Sequence, residues 1–196
     1  MISITQTTAL LAAVGICAAG CSNAANLYKR GDALLHAECY KEAIEQLSGA
    51  IKKDPEFASA YAKRGVCYWH LNEPRKATDD LEKALSLGNR EPYTYEFCAW
   101  AYGIQSNNIE ALRILNTGIE ANPTAPNSIF FRACTYYELG DYDKALADLD
   151  KTIELKPDHP KIAMLRSNIT ARIKENMGSQ QAGPGYPSQG AGSPDP

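Results

Sequence analysis

The chain has no cluster of basic side chains and no apolar run long enough to cross a bilayer. Its 20 Lys and Arg residues are scattered among 23 Asp and Glu residues, for a net charge of −3 over 196 residues. Nucleic-acid-binding domains carry a concentrated positive surface, so this balance argues against a nucleic-acid partner. The apolar run Ala9–Ala19 has eleven residues, whereas a membrane-spanning helix needs about 20.

Catalytic and metal-binding motifs are also missing. The chain contains no nucleophile elbow, zinc-protease helix or phosphate-binding loop. His36 and His70 occupy equivalent places, but no third ligand accompanies them, and protein metal sites normally use three or four ligands. We therefore expect no cofactor, no metal and no enzymatic activity. A catalytic or metal-binding role is the third alternative, behind the two binding roles given below.

Four copies of one pattern recur at a constant period through the middle of the chain. Each has a small residue followed by a large apolar one, then an alanine and, one helical turn later, a leucine. The small residues, alanines and leucines are, in order, Gly31, Gly65, Ala99 and Ala133; Ala43, Ala77, Ala111 and Ala145; Leu47, Leu81, Leu115 and Leu149. In each copy the apolar residues recur at helical spacing in two blocks, which predicts an antiparallel helix pair.

This pattern, with its period of about 34 residues, resembles the tetratricopeptide (TPR) repeat over residues 24–159. The resemblance implies an all-α fold, namely a right-handed α-solenoid of helix–turn–helix repeats. The four repeats would occupy residues 24–57, 58–91, 92–125 and 126–159. Repeat proteins of this kind bind other chains far more often than they catalyse reactions.

Two further segments follow the repeats. A solenoid needs a terminal element with a polar outer face, and an apolar stripe backed by polar residues predicts such a capping helix over 160–177. The stripe consists of Ile162, Leu165, Ile169 and Ile173. Residues 178–196 are almost wholly Gly, Pro, Ser, Gln and Ala, which predicts a disordered tail. The alternative is that this Tyr- and Pro-containing segment is a ligand strip for a partner.

The repeats differ in the turn between their two helices. The fourth repeat has Gly140 there, which suits a left-handed backbone, whereas the other three have Glu38, Asn72 and Ser106. The third repeat also has Gly118 inside a helix, at a cost near 1 kcal/mol. We therefore expect the least stable part of the chain in the third repeat.

The cysteines do not suggest a disulfide framework, although four of them fall in the repeats. These are Cys39, Cys67, Cys98 and Cys134. An even number in an exported protein can form bridges. Cys67 and Cys98, however, would lie on helices whose axes are about 8–10 Å apart, and a disulfide needs Cα atoms within roughly 7 Å. We expect small buried thiols, with Cys67–Cys98 the only pair that merits a test.

The N-terminal segment predicts the compartment. Residues 1–28 contain no charged side chain, and the apolar run of eleven residues has the length of the apolar region of a secretory signal. It ends in Ala18-Ala19-Gly20-Cys21. That ending resembles the bacterial lipobox, which implies a signal peptide over 1–20, acylation of Cys21 and a short tether over 21–23. The implied location is the bacterial cell envelope, at the outer membrane facing the periplasm. The alternative is a soluble secreted or periplasmic protein.

In TPR solenoids the first helix of each repeat lines the concave face, so the resemblance implies a groove built from these helices. It assigns to the groove Tyr28, Leu35, Trp69, Tyr93, Trp100, Phe130 and Tyr137. Trp and Tyr often anchor interfaces, with losses of about 2 kcal/mol or more on truncation. The alternative for several of them, Trp69 above all, is that they pack between repeats.

The leading hypothesis is therefore a membrane-anchored adaptor or scaffold. It would hold a peptide or helix of another envelope protein in the concave groove, and it would contact the membrane through its lipid anchor. A regulator that docks a cell-wall hydrolase or protease by its convex face is the alternative.

Overall fold

The computed structural model describes residues 23–181, and the regular elements in that range are all α-helices. Asn23 caps the first of them, because its side-chain oxygen accepts the backbone N–H of Asn26 at 2.9 Å. The helices are α1 (Ala24–His36), α2 (Tyr40–Lys53), α3 (Ala58–His70), α4 (Pro74–Ser86), α5 (Pro92–Ile104), α6 (Asn108–Ala121), α7 (Pro126–Glu138), α8 (Tyr142–Leu155) and α9 (Ile162–Gln181).

The helices follow the period of the sequence pattern. The first helices of the four predicted repeats begin at Ala24, Ala58, Pro92 and Pro126, the first residue of each repeat. Each is followed by its partner helix, and α9 follows the fourth pair. The predicted all-α solenoid of four repeats with a final capping helix is confirmed. Over the described residues, no helix is both long enough and apolar enough to cross a membrane.

The two helices of a repeat pack closely because a small residue of the first faces a leucine of the second. A Cβ added to Gly31 would lie 2.6 Å from Leu47 Cγ, and one added to Gly65 would lie 2.7 Å from Leu81 Cγ. Both leucines are fully buried. A larger residue at either glycine would push the helices apart, which is why the repeat pattern keeps this position small.

The turn inside each repeat has one residue with a left-handed backbone. Glu38, Asn72 and Ser106 have φ values of 60°, 58° and 59°, and Gly140 has 78°. The prediction for these turns is confirmed. For a residue with a Cβ, this conformation is about 1–2 kcal/mol less stable than the right-handed one. The first three turns are therefore less favourable than the fourth, which has glycine.

Gly118 lies inside α6 because it faces the ring of Tyr95 from α5. A Cβ at Gly118 would lie 2.7 Å from Tyr95 Cγ and 2.8 Å from Tyr95 Cβ. Tyr95 is 1% exposed, so its ring fills the space that the missing side chain leaves. The low helix propensity of glycine is therefore offset in the third repeat by the burial of a large aromatic side chain.

An arginine of α3 joins three helices. Arg64 donates from Nε and Nη2 to both carboxylate oxygens of Asp80, at 2.7 and 2.8 Å, and from Nη1 to Ser48 Oγ at 2.9 Å. We call this arrangement an arginine clamp. A second arginine clamp recurs two repeats later, with distances of 2.8, 2.8 and 2.9 Å, and consists of Arg132, Asp148 and Asn116.

The capping helix α9 closes the last repeat with its apolar stripe. Ile162, Leu165 and Ile169 are buried in one cluster with Phe130 and Leu149. The helix continues to Gln181, beyond the predicted end at 177. Residues 182–196, which make up the rest of the predicted tail, lie outside the described residues, as do the predicted signal peptide and Cys21.

The first helices of the repeats lie on the inside of the curve. Within residues 23–181, α1 contacts α3, α3 contacts α5 and α5 contacts α7, whereas the second helices of successive repeats do not contact one another. The first helices are therefore closer together than the second helices. This places α1, α3, α5 and α7 on the concave side, as the repeat pattern implied.

Candidate functional site

Four aromatic side chains from three successive first helices form a continuous surface. Trp69 of α3 lies 5.0 Å from Phe97 and 4.4 Å from Trp100, both on α5, between ring centroids. Trp100 in turn lies 5.3 Å from Phe131 of α7. These distances are in the range of favourable aromatic pairs. We call Trp69, Phe97, Trp100 and Phe131 the aromatic shelf.

The repeat geometry explains why these four rings meet. Phe97 and Phe131 are one repeat period apart, so they occupy equivalent positions on adjacent first helices. Trp100 lies one helical turn after Phe97, on the same face of α5. Trp69 lies near the end of α3 and contacts both rings of α5. The stacking of repeats thus aligns side chains that are distant in sequence.

A cavity of about 460 Å³ opens beside the shelf, between α5, α7 and α9. Its apolar lining includes Trp100, Ile104 and Met164, which are 39%, 45% and 62% exposed. Lys161 and Glu138 also line it, and Lys161 Nζ lies 5.9 Å from the centre of the Trp100 ring. The cavity is therefore an open apolar site that also has one side chain of each charge.

The shelf continues toward α2 through His70. The His70 ring stacks on Tyr40 with centroids 4.4 Å apart, and it lies 4.8 Å from Trp69. Burial lowers the pKa of His70, because a charged imidazolium is disfavoured among these rings. The His70 ring is therefore uncharged at neutral pH.

Trp69 contains an unused hydrogen-bond donor. Its indole Nε1 is buried, and no acceptor contacts it. A buried donor without a partner costs about 1–3 kcal/mol. The contacts of the Trp69 ring with Phe97 and Trp100 must therefore offset that cost.

The first half of the groove is more polar than the shelf. Lys63 Nζ lies 2.9 Å from Asp32 Oδ1 and 5.2 Å from the centre of the Tyr93 ring. Burial disfavours the charged ammonium, but the hydrogen bond to Asp32 and the nearby Tyr93 outweigh it, so the pKa of Lys63 is raised. Tyr28 packs on Phe57 with ring centroids 4.9 Å apart.

A buried carboxyl group lies between α5 and α7. Glu96 is only 9% exposed, and its Oε1 accepts the hydroxyl of Ser128 at 2.9 Å. Burial raises the pKa of Glu96, and the hydrogen bond from Ser128 opposes that shift only in part. This single carboxyl group has no paired acid, base or nucleophile around it that would form a catalytic arrangement among the described residues.

The aromatic shelf contains two of the seven predicted groove residues, Trp69 and Trp100, and a third, Phe130, lines the adjoining cavity together with Trp100. Tyr28 and Tyr93 lie at the polar end of the groove, and Leu35 is half-buried against the core. Tyr137 contacts Tyr142, with centroids 6.0 Å apart, near the cap. The predicted residues are therefore distributed along the whole concave side.

Phe130 is buried rather than presented to solvent. It is 5% exposed, because α9 covers it and His159 packs on it with centroids 4.3 Å apart. It is nevertheless among the residues that line the cavity beside the shelf, whereas its neighbour Phe131 belongs to the shelf itself. Phe97 and Phe131 were not predicted. Their signal in the sequence was a phenylalanine repeated after one period.

The four cysteines of the repeats are free thiols. Cys67 and Cys98 are fully buried in separate apolar clusters, and burial raises the pKa of each to about 12. His36 contacts Asp32, whereas His70 stacks on Tyr40. Over residues 23–176, whose side chains are described, no group of three or more His, Cys, Asp or Glu side chains is placed to hold a metal ion.

Comparison with known proteins finds the same repeat. Two tetratricopeptide repeat family models match the chain, one over residues 28–92 and the other over residues 127–159. Among curated proteins, the BBSome complex member BBS4 of Bos taurus is 29% identical over 130 residues. That match covers 66% of this chain and 25% of the bovine protein, so the chain spans about a quarter of the length of this relative.

Solved structures show the same fold. YrrB, described as a TPR protein with an unusual peptide-binding site, superposes with a TM-score of 0.64 at 24% identity, over 76% of this chain and 74% of YrrB. PilF of Pseudomonas aeruginosa superposes with a TM-score of 0.69 at 19% identity, over 81% and 72% of the two chains. These likenesses concern the fold alone. With its four helix pairs of constant period, its capping helix and the two family matches, the chain belongs to the tetratricopeptide repeat family.

Proposed function

We propose that this protein is a membrane-anchored adaptor of the bacterial envelope, which holds a peptide or helix of another envelope protein in its concave groove. The observation that carries the proposal is the aromatic shelf together with the adjoining cavity. The two lie on the concave side and combine large aromatic rings with exposed apolar side chains. A protein–protein interface accounts for such a surface better than a catalytic site does.

The shelf has the composition of an interface centre. Aromatic residues contribute most of the binding free energy at interfaces when they are surrounded by apolar contacts that exclude water. Trp100 lies at the centre of the shelf and is 39% exposed, so a partner that covers it removes a large apolar surface from water. Exposed apolar patches of this kind on soluble domains mark interaction sites.

The rest of the cavity indicates how a partner would be oriented. Lys161 and Glu138 both line it, so a segment with an acidic and a basic residue on the corresponding sides would be favoured in one direction. The peptide-binding site described for YrrB supports a groove of this fold as a place for an extended chain.

The groove proposal is tested by the double substitution Trp100→Ala with Phe131→Ala. The variant is expressed as the full chain in its own host, so that any processing of the N-terminus takes place. Pull-down from cross-linked envelope extracts should lose the proteins that the wild type retains. Leu139→Ala is the matched control, because Leu139 is 46% exposed but lies outside the shelf and cavity. The groove proposal fails if the double variant retains the same proteins as the wild type.

The membrane anchor is a separate part of the proposal, and it rests on the lipobox-like Ala18-Ala19-Gly20-Cys21. Comparison of the wild type with Cys21→Ser by membrane fractionation and intact mass tests it. We expect a membrane-bound wild type that begins at Cys21 and carries acyl chains, and a variant that lacks them. A wild type without acyl chains would leave a soluble secreted or periplasmic groove-binding protein.

The convex face supports docking less well. A cavity of about 630 Å³ lies between α4 and α6, but two of its charged lining residues, Glu82 and Arg113, are already paired with each other. Arg113 pairs with Glu110 at 2.5 Å and with Glu82 at 3.1 Å. If a regulated hydrolase or protease docked here, Arg113→Ala would abolish its binding while the shelf substitutions would leave it unchanged.

A further inference from the structure

The first helix of the solenoid has an open face, which is covered in the other first helices. α3, α5 and α7 each contact the second helix of the preceding repeat, whereas no helix precedes α1 in the described part of the chain. Asn26 and Ala33 of α1 are exposed. The residues at the equivalent positions of later repeats are fully buried, namely Ala60, Thr94 and Ser128 for Asn26, and Cys67 and Ala101 for Ala33. Asn26, Arg30 and Ala33 share one face of α1, which we call the N-terminal edge.

Arg30, at the centre of this edge, holds the position of the clamp arginines. It lies one repeat period before Arg64. The Arg64 clamp takes its carboxylate from Asp80 of the same repeat and its neutral acceptor from Ser48 of the preceding one. In the first repeat, Gln46 holds the position equivalent to Asp80, and no repeat precedes α1 among the described residues. The clamp at Arg30 therefore lacks its carboxylate and its second acceptor.

The Arg30 side chain has no polar partner over residues 23–176, whose side chains are described. Its Nε is buried without an acceptor, and Oε1 of Gln46 is buried without a donor. A bond between these two atoms would satisfy both, but the guanidinium charge would still lack a carboxylate. Nη1 and Nη2 of Arg30 are accessible, because Nε is its only buried unpaired nitrogen. Residues 1–22 have no charged side chain, so they cannot supply the carboxylate.

The other end of the solenoid shows how a neighbouring helix supplies this carboxylate. Arg166 of α9 lies one repeat period after Arg132, and Asp150 of α8 lies one period after Asn116. Nη2 of Arg166 donates to Oδ1 of Asp150. The helix that precedes an arginine at this position can therefore carry the acid. We propose that the N-terminal edge docks a helix of a partner protein that presents an aspartate or glutamate to Arg30, as Asp150 does to Arg166.

A helix fits the edge because each internal junction of the solenoid is a contact between helices. The backbone groups of α1 are bonded within the helix, so they offer nothing to the backbone of an extended strand. A helix laid along α1 would also cover Leu27, which is half-buried, whereas Tyr95 and Ile129 at the equivalent positions are buried. A lipid surface fits less well. Anionic membranes bind clusters of about 4–8 basic residues, and Arg30 is the only basic residue of the edge.

The incomplete clamp is tested within the chain by the substitution Gln46→Asp, which places a carboxylate where Asp80 lies against Arg64. Gln46→Asn is the matched control, because it has the same length and no charge. We expect a higher urea midpoint for Gln46→Asp than for Gln46→Asn. The difference should disappear when both variants also carry Arg30→Gln, because the charge pair is then absent. Equal midpoints for the two variants with Arg30 in place would overturn the inference.

The partner is tested by photo-cross-linking of the full chain in its own host, with a benzophenone side chain in place of Ala33. We expect cross-links to a helix that has an Asp or Glu within one turn of the linked residue. Arg30→Glu should reduce the cross-link yield about tenfold or more, because two like charges then face each other. Replacement of that Asp or Glu by Arg, together with Arg30→Glu, should restore the yield. Gln46→Asp should also reduce the yield, since it engages Arg30 within the chain, and Gln46→Asn should not.

The control for the cross-linking is the same benzophenone side chain in place of Leu139, which should give none of these cross-links. Cross-links from position 33 to lipid, to a second copy of this chain or to a segment without an acidic residue would overturn the inference. A complete absence of cross-links, or a yield that Arg30→Glu leaves unchanged, would overturn it as well. The groove proposal does not depend on this result, because Trp100 and Phe131 lie on α5 and α7 and not on the N-terminal edge.

Discussion

The substitution Gly118→Ala is a test of two opposite predictions for the free energy of unfolding. Helix propensity predicts that the substitution stabilises the protein, whereas the packing of the core predicts that it destabilises the protein. In an exposed helix, replacing Gly by Ala adds about 1 kcal/mol of stability. Here the new methyl group would lie 2.7 Å from Tyr95 Cγ and 2.8 Å from Tyr95 Cβ. These atoms are at the base of a fully buried side chain, so they cannot move unless α5 moves.

Overpacking of a core costs about 1–3 kcal/mol, and the near-backbone position of the contact puts Gly118→Ala at the upper end of that range. After subtracting about 1 kcal/mol of gained helix propensity, we expect the free energy of unfolding to fall by about 1–2 kcal/mol. The measurement is urea denaturation followed by circular dichroism, with the midpoint and slope fitted separately.

Gly49→Ala in α2 is a matched control. A Cβ at Gly49 would lie 3.3 Å from Leu27 Cδ1, which is the mobile end of a half-buried side chain. The same substitution should therefore stabilise the protein there, by up to about 1 kcal/mol. The reasoning is refuted if Gly118→Ala raises the denaturation midpoint as Gly49→Ala does. It is supported further if Tyr95→Leu reduces the cost of Gly118→Ala, since the equivalent positions of the first repeat hold Leu27 and Ala50.

Three further outcomes follow from the structure. Glu38→Gly and Ser106→Gly should each raise the free energy of unfolding by about 0.5–1 kcal/mol. The substitution relieves about 1–2 kcal/mol of left-handed strain, which exceeds the free-energy cost of the extra freedom that glycine has in the unfolded chain. Unchanged urea midpoints would contradict this prediction. The raised pKa of Glu96 means that the folded protein holds this proton more tightly than the unfolded chain, so its stability falls as pH rises through the window between the two pKa values. Glu96→Gln should therefore match the wild type in acid and exceed it at neutral pH in thermal melts, with exposed Glu45→Gln as control. Asp80→Asn should lower the free energy of unfolding by about 1.5–3 kcal/mol, because it removes the negative charge that pairs with the guanidinium of Arg64. Asp79→Asn, on the exposed face of α4, is the control. A smaller loss of stability for Asp80→Asn than for Asp79→Asn would show that the arginine clamp does not stabilise the fold.

The sequence predicts well the features that recur in every repeat, namely the repeat boundaries and the turns between the two helices. The repeat boundaries follow from the period of the small residues, alanines and leucines and from helical spacing, and the structure has a helix that begins at each of them. The left-handed turn residues Glu38, Asn72 and Ser106 follow from alignment with Gly140. In each case the feature recurs at the same position of every repeat, so one well-defined copy predicts the others.

Features that join different repeats were harder to predict. Arg64 binds Ser48 of the preceding repeat, and Trp69 meets Trp100 of the following one, so these contacts depend on how the helices stack. Phe130 and Phe131 differ by about 100° around α7. The pattern of the family favoured Phe130 for the groove, but α9 covers that face of the last repeat. A capping helix thus changes which neighbouring residue is accessible.

The arginine clamps divide the repeats into two pairs. One clamp links the first repeat to the second, and the other links the third to the fourth. At the junction between the pairs, the position equivalent to Arg64 is held by Cys98, which is fully buried in an apolar cluster. Within the part of the chain that the structure describes, no arginine clamp therefore crosses the junction of α4 and α5.

The aromatic shelf lies across this junction, because Trp69 belongs to the second repeat and Trp100 to the third. A chain bound along the shelf would hold the two pairs together at the point that the arginine clamps leave unbridged. Hydrogen exchange should then slow across the α4–α5 junction when the groove is filled. The bound chain would then add to a junction that is otherwise held by one shared apolar cluster and by the ion pair of Arg113 with Glu82.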